Sequence, residues 1–320
     1  MTDLVCGFDL GGTKLLGLVI DPNEGDPLEI DKVATPSGPD AVVDGIVALA
    51  TELARRTEES GRGPVVAYGL GAPGLVDRSG TLRYGPNIPG VVGLPFARVL
   101  RERLGRPVVV DNDATCAAWA EHERGAARGA NHSVTVSLGT GIGAGVTVKG
   151  EVLRGANGFA GEAGHMVVDP SGPLCPCGRR GCWERYASGS GLGWLAREAA
   201  VAGMAHQVVA RAGGDPESVR GEHVTAAAAE GDQEALTVIA RFAWWVALGI
   251  ANLVNVLDSE IVVIGGGLAE AGDLLLDPIR AAYSELVMGS GHREDVPIVA
   301  AQLGEKAGAW GAALLAAARS

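Results

Sequence analysis

Three of the five cysteines, Cys175, Cys177 and Cys182, fall within eight positions, and His165 lies ten residues upstream of the first. Three thiolates and one imidazole complete a tetrahedral Zn²⁺ site, and Gly178 and Gly181 let the chain fold back around the ion. A disulfide between two of these thiols is the rival reading. A reducing cytosol disfavours it, and Cys175 with Cys177 would pair awkwardly. Four protein donors leave the metal no open position, so its role reads as structural and a zinc hydrolase is set aside. A metal-bound His165 keeps a second ring nitrogen for another partner. Glu162 and Glu184 flank this region; they either converge beside the metal or are solvated loop acids. Cys6 and Cys116 read as inert core thiols.

Glycine turns are the second chemistry-bearing feature. Gly11-Gly12-Thr13-Lys14 follows Asp9-Leu10, and Gly139-Thr140-Gly141 precedes Ile142-Gly143, each between two apolar runs. Such a turn exposes several backbone N–H groups at one point and makes a nest for an anion such as phosphate. The alternative is that these glycines only satisfy tight-turn angles. Neither run is a P-loop or the dinucleotide fingerprint, since both sit between two strands. Gly265-Gly266-Gly267 lies between a strand and a helix and could equally permit close packing there. Asp113, at the end of an apolar strand, reads as a helix N-cap or as a carboxylate able to accept a proton from a hydroxyl nucleophile. Asp9 either holds Mg²⁺ through water or caps its turn.

The elements that position these groups alternate. Apolar runs predict strands over residues 4–8, 15–20, 64–70, 107–110, 133–138, 144–148, 260–264 and 296–301. Helical spacing is read over 40–56, 114–127, 273–287 and 306–318, with a further helix from Leu268 onward. Strand, glycine turn and strand recur twice, so the chain carries one device in duplicate. The pattern is α/β, with a lobe boundary near residues 113–119. The apolar stretch 235–257 is interrupted by Arg241, Asn252 and Asn255, and its uninterrupted part, 242–251, is too short for a bilayer. It reads as a buried core helix, with Trp244 and Trp245 in the core rather than at a subunit contact.

With 320 residues, 47% of them hydrophobic and 20% charged, the chain has apolar surface for two sizeable cores. Aromatics are 4%, so aliphatic residues and glycine must do the packing. The formal net charge of −12 comes without a Lys/Arg cluster, which argues against a nucleic-acid partner. Met1-Thr2-Asp3 begins no secretion signal, and a cytoplasmic protein is expected.

Taken together, Asp9 to Lys14, Pro86-Asn87, Asn112-Asp113, Leu138 to Gly143, Glu162 to His165, the cysteine run ending at Glu184, and Ile264 to Gly267 resemble the ROK family of sugar kinases and related repressors. The motifs span nearly the whole chain in the family's order, and within it the chain is most similar to the actinobacterial glucokinases. The resemblance implies an α/β, two-lobed actin-like ATPase fold, a duplicated ribonuclease H-like fold with a structural zinc site. The smaller domain would comprise 1–116 with the C-terminal helix 304–320, and the larger, zinc-bearing one 117–303. It implies ATP-dependent phosphorylation of glucose to glucose 6-phosphate with Asp113 as general base. Asn87, Asn112, Glu162, His165 and Glu184 would hold the sugar. Gly11, Gly12, Thr13, Lys14, Gly139, Thr140 and Gly141 would contact the nucleotide phosphates, Asp9 would help place Mg²⁺, and Gly265, Gly266 and Gly267 would border the adenosine. A homodimer or homotetramer is implied.

Two departures stand out: Asp111 where such glucokinases often carry Glu, and Ala163 in place of a larger residue, which bears on the sugar pocket. A kinase of N-acetylmannosamine, N-acetylglucosamine or fructose is the first alternative, and polyphosphate an alternative donor. A sugar-responsive regulator is disfavoured, because only three residues precede the first strand and the acidic surface offers no DNA-binding face.

Overall fold

The computed structural model describes residues 3–85, 88 and 90–318. Asn87 lies outside the described residues, as does Pro86. The chain forms two compact units, one of Met1–Asn131, Gly145–Gly161 and Gln302–Ser320, the other of His132–Ala144 and Glu162–Ala301.

The first unit opens with β1 (Leu4–Leu10), β2 (Lys14–Ile20) and β3 (Glu29–Ala34), followed by α1 (Pro39–Glu59) and β4 (Val65–Ala72). A small ribbon, β5 (Leu75–Val76) and β6 (Leu82–Tyr84), precedes α2 (Phe96–Leu104), β7 (Val108–Asn112) and α3 (Asp113–Arg124). Its sheet runs β3-β2-β1-β4-β7, with β1/β2 and β2/β3 antiparallel and β1/β4 and β4/β7 parallel. β1 and β2 are almost wholly buried, which is why they read as unbroken apolar runs. β3 is an edge strand of mostly exposed residues in which charged Glu29, Asp31 and Lys32 interrupt the apolar ones, and such a strand carries little apolar signal to read. α1 starts at Pro39 and buries Val42, Val43, Ile46, Leu49, Ala50 and Leu53 on the sheet, a stripe at helical spacing.

The second unit begins with β8 (Ser133–Leu138) and the start of β9 (Ile142–Val148), which crosses into the first unit at Gly145 and is followed there by β10 (Glu151–Val152). After the cysteine run come α4 (Glu184–Ala187), α5 (Gly189–Val201), α6 (His206–Arg211), α7 (Gly221–Ala229) and α8 (Gln233–Leu257). β11 (Ile261–Gly265), α9 (Asp273–Leu286) and β12 (Ile298–Ala300) complete it. The second sheet runs β10-β9-β8-β11-β12, with β8/β11 and β11/β12 parallel. Its strand order repeats that of the first sheet, so the duplication expected from the two glycine turns is realised as two sheets of one plan. The helix expected from Leu268 is a 3₁₀ turn, Gly267–Ala271, stopped by Gly272 before α9 begins. The final helix, α10 (Ala307–Ala317), belongs to the first unit. It lies so close on β1 and β4 that a Cβ at Gly7 or Gly69 would strike the Ala309 or Ala312 carbonyl.

α8 is capped by Asp232, whose side chain accepts the Ala235 N–H. Among the described residues it is the one helix long and apolar enough to cross a membrane, and 61% of that window is buried inside the protein. Trp244 departs from expectation: it is 40% exposed. One residue on, the helix has turned by about 100°, and the half-buried Trp245 stacks on Tyr186 at 4.0 Å between ring centroids. Trp244 therefore points out on the same apolar helix that buries its neighbour.

Candidate functional site

In the second unit the cysteine run folds back on itself through left-handed turns at Gly178 and Gly181, with φ of 88° and 65°. Cys175 N–H donates to the Arg179 carbonyl at 2.7 Å and Val168 N–H to that of Gly181 at 2.9 Å. This brings the donor atoms of His165, Cys175, Cys177 and Cys182 within 4.8 Å of one another. Cys177 Sγ lies 3.5 Å from Cys182 Sγ, and Cys175 Sγ 3.9 Å from His165 Nδ1. Tetrahedral zinc with Zn–S near 2.3 Å would space its sulfurs by about 3.8 Å, so the cluster has the size and the donors of a structural zinc site. All five cysteines are free thiols, and the disulfide reading is not realised.

His165 ends a 3₁₀ turn, Ala163–His165, that follows Glu162. Its Nδ1 faces the thiols, while Nε2 lies 4.0 Å from Glu162 Oε2. The imidazole thus presents one nitrogen to the metal cluster and the other to a carboxylate, the division of labour expected when a metal-bound His orients its neighbours. Glu184 opens α4 two residues after Cys182, and its Oε2 accepts the Ile142 N–H at 2.9 Å. It is not a freely solvated loop acid. Gly139, Thr140 and Gly141 join β8 to β9, with Gly139 N–H closing on the Gly141 carbonyl at 3.0 Å. Gly266, at φ 80°, packs against the end of β8, where a Cβ would lie 2.5 Å from the Leu138 carbonyl oxygen. Close packing therefore accounts for at least this glycine of the Gly265–Gly267 triplet.

In the first unit, Gly11, Gly12 and Thr13 join β1 to β2. Gly11 N–H donates to the Lys14 carbonyl at 2.8 Å, and Thr35 holds the turn from the end of β3: its hydroxyl donates to the Gly11 carbonyl at 2.7 Å and its N–H to that of Thr13 at 3.1 Å. Thr13 and Lys14 are exposed. Asp9 pairs across β1/β4 with Gly71, and Gly71 pairs with Asp111 on β7. Gly71 has no side chain to fill the space toward Asp113, whose Cα a Cβ there would meet at 3.3 Å. Burial, and then the charge of Asp113, push the Asp9 carboxyl up to about 7.

Asp113 is the first residue of α3, not its cap. The cap is Asn112, whose Oδ1 accepts the Thr115 N–H at 3.0 Å and whose Nδ2 donates to the Gly74 carbonyl at 3.1 Å. An N-cap must reach the N–H two or three residues on, and Asn112 is the residue so placed. The Asp113 carboxylate is held by the Ala114 N–H at 2.8 Å, and burial raises its pKa against the lowering effect of that bond. A partly buried carboxylate at the C-terminal end of a parallel strand, with its proton affinity raised, is equipped to take a proton from an alcohol.

The description of the ROK family matches residues 5–319. The chain belongs to the ROK family. The glucokinase of Streptomyces coelicolor is 41% identical to it across 98% of this chain and 97% of that protein. The N-acetylmannosamine kinase of Salmonella typhi is 33% identical across 97% of each. The crystal structure of a ROK family glucokinase from Streptomyces griseus, in complex with glucose and AMPPNP, aligns with a TM-score of 0.86 at 39% identity, covering 98% of this chain and 99% of the other.

This ROK protein also uses residues that sequence reading passed over. Arg154 Nε pairs with Asp111 Oδ2 at 2.6 Å, both side chains largely buried, so the Asp111 carboxylate is neutralised from the loop after β10. Glu121, only 1% exposed, accepts N–H groups from Ala126, Gln302 and Leu303, tying α3 to the segment that leads into α10. A second acid two residues before Asp113 was the available hint for the first. Glu121 offered none, because its donors are backbone groups 181 or more positions away in the case of Gln302 and Leu303.

Proposed function

We propose that this chain is a sugar kinase that transfers the terminal phosphoryl group of ATP to the 6-hydroxyl of glucose. Asp113 carries the reading. Its partly buried carboxylate, held by the Ala114 N–H and raised in proton affinity, takes the hydroxyl proton as the sugar oxygen bonds to phosphorus and ADP leaves. Phosphoryl transfer asks little covalent help of a protein and depends on positioning and charge. Glu162, His165, Glu184, Asn112 and Asn87 hold the remaining hydroxyls, and the order that His165 takes from the cysteine cluster supports that role for its neighbour Glu162. The two glycine turns receive the phosphates, with Gly265, Gly266 and Gly267 beside the adenosine. Mg²⁺ that arrives with ATP would neutralise phosphate charge, with Asp9 as its carboxylate. Zn²⁺ on His165, Cys175, Cys177 and Cys182 would supply bracing alone, since four protein ligands close its coordination.

Similarity to glucokinases at 41% and 39% identity supports glucose as acceptor. A second reading, an N-acetylhexosamine acceptor such as N-acetylmannosamine, is favoured by Ala163, a small residue between Glu162 and His165, and by the Salmonella relative. The test is a panel of hexoses and amino-hexoses, each with ATP and with polyphosphate, measuring the sugar phosphate formed. Glucose with ATP should give the highest kcat/KM. Preference for an amino-hexose would move the assignment to the second reading, and no turnover of any sugar would overturn both.

A further inference from the structure

The turn Gly139-Thr140-Gly141 is held from outside its own sheet. The first N–H of α5, that of Gly189, donates to the Gly139 carbonyl at 2.8 Å, and the Ser190 hydroxyl donates to the Thr140 carbonyl at 2.9 Å. Across a trans peptide the carbonyl of one residue and the N–H of the next point in opposite directions. The described peptide bonds are all trans. Holding the Gly139 and Thr140 carbonyls toward α5 therefore turns the Thr140 and Gly141 N–H groups the other way, side by side, as an anion nest requires. The next N–H along, that of Ile142, is taken by Glu184.

We propose that Ser190 is a positioning residue for nucleotide binding, clamping the second phosphate turn so that its two N–H groups face the anion together. The proposal rests on the reading of this turn as a phosphate contact. It adds that the helix start following the cysteine run orients the nucleotide as well as the sugar. Glu184, two residues beyond Cys182, and Ser188, which caps α5 by accepting the Gly191 N–H, make the connection continuous.

The experiment is calorimetric titration of wild type, Ser190→Ala and Ser190→Thr with AMPPNP in the absence of sugar, and with glucose in the absence of nucleotide. Losing one hydrogen bond at an exposed position should raise the AMPPNP Kd roughly three- to tenfold in Ser190→Ala. The glucose Kd should hold, and Ser190→Thr, which keeps the hydroxyl, should restore nucleotide affinity. In turnover, the KM for ATP should rise while the KM for glucose and kcat stay near wild type. An unchanged AMPPNP Kd in Ser190→Ala, a parallel loss of glucose affinity, or failure of threonine to restore binding would overturn the clamp while leaving the kinase reading intact. A wild-type protein that binds glucose but no AMPPNP would overturn the phosphate reading and the clamp together.

Discussion

The two glycine turns have the same loop length and join the same kind of strand pair, yet they are secured differently. The first is held by Thr35, a residue at the end of the neighbouring strand, so its geometry is a property of the sheet that contains it. The second is held by Gly189, Ser190 and Glu184, which follow the cysteine run in the chain. The acids near them differ as well. Asp9, on β1, has a second carboxylate in its field and its pKa pushed up, whereas Glu184 is hydrogen-bonded to a backbone N–H. The two copies of one motif thus depend on local sheet geometry in one case and, in the other, on a segment that follows the His/Cys₃ cluster.

The largest test of the first unit is Asp113→Asn, which should lower kcat by about 10²–10⁴-fold, the usual contribution of a positioned base, while glucose affinity measured by calorimetry changes little. A near-normal kcat would remove Asp113 from that role. Next in size is loss of the metal, by chelation or Cys177→Ser. Because binding energy at such a site is folding energy for the loop it closes, the thermal midpoint and the glucose affinity should fall together. Nucleotide affinity should fall with them through the second turn. Metal-free protein with full sugar affinity would contradict the dependence described above.

A pH series addresses the first unit alone. Because the Asp9 carboxyl is pushed up to about 7 in the folded chain, its contribution to stability is complete below the ordinary aspartate range and is lost as pH rises through that value. The stability gained by Asp9→Asn over wild type, from urea denaturation without ligand, should therefore grow between acid and neutral pH. A constant difference would show that Asp9 titrates normally. The smallest effect is expected from Thr35→Val, which removes the hydroxyl on the Gly11 carbonyl and should raise the KM for ATP by roughly two- to fivefold. That loss should be the same with and without metal, unlike the corresponding loss at the second turn.

Much of this was legible in the chain itself. The central strands β1, β2, β8 and β11 were readable because burial on both faces makes continuous apolar runs, and the metal ligands because type and spacing together specify the chemistry. Charged β3 and the short helices of the second unit were not, since neither carries a sustained apolar period. Among the site residues, Asp113 was found but assigned two roles, and the structure gives the cap to Asn112. Arg154 and Glu121 went unread because their partners are distant in sequence.

What the order of residues determined alone is the local chemistry: a Cys₃His donor set, two glycine turns between strands, and alternating strands and helices. These depend on neighbours within a few positions, which is the range over which periodicity and spacing carry information. Only the tertiary structure decided that Asp113 lies in the electrostatic field of Asp9, that Arg154 neutralises Asp111, and that a helix start secures one turn while a strand end secures the other. Burial and charge are set by everything packed around a group, and most of what surrounds these carboxylates and carbonyls comes from elsewhere in the chain.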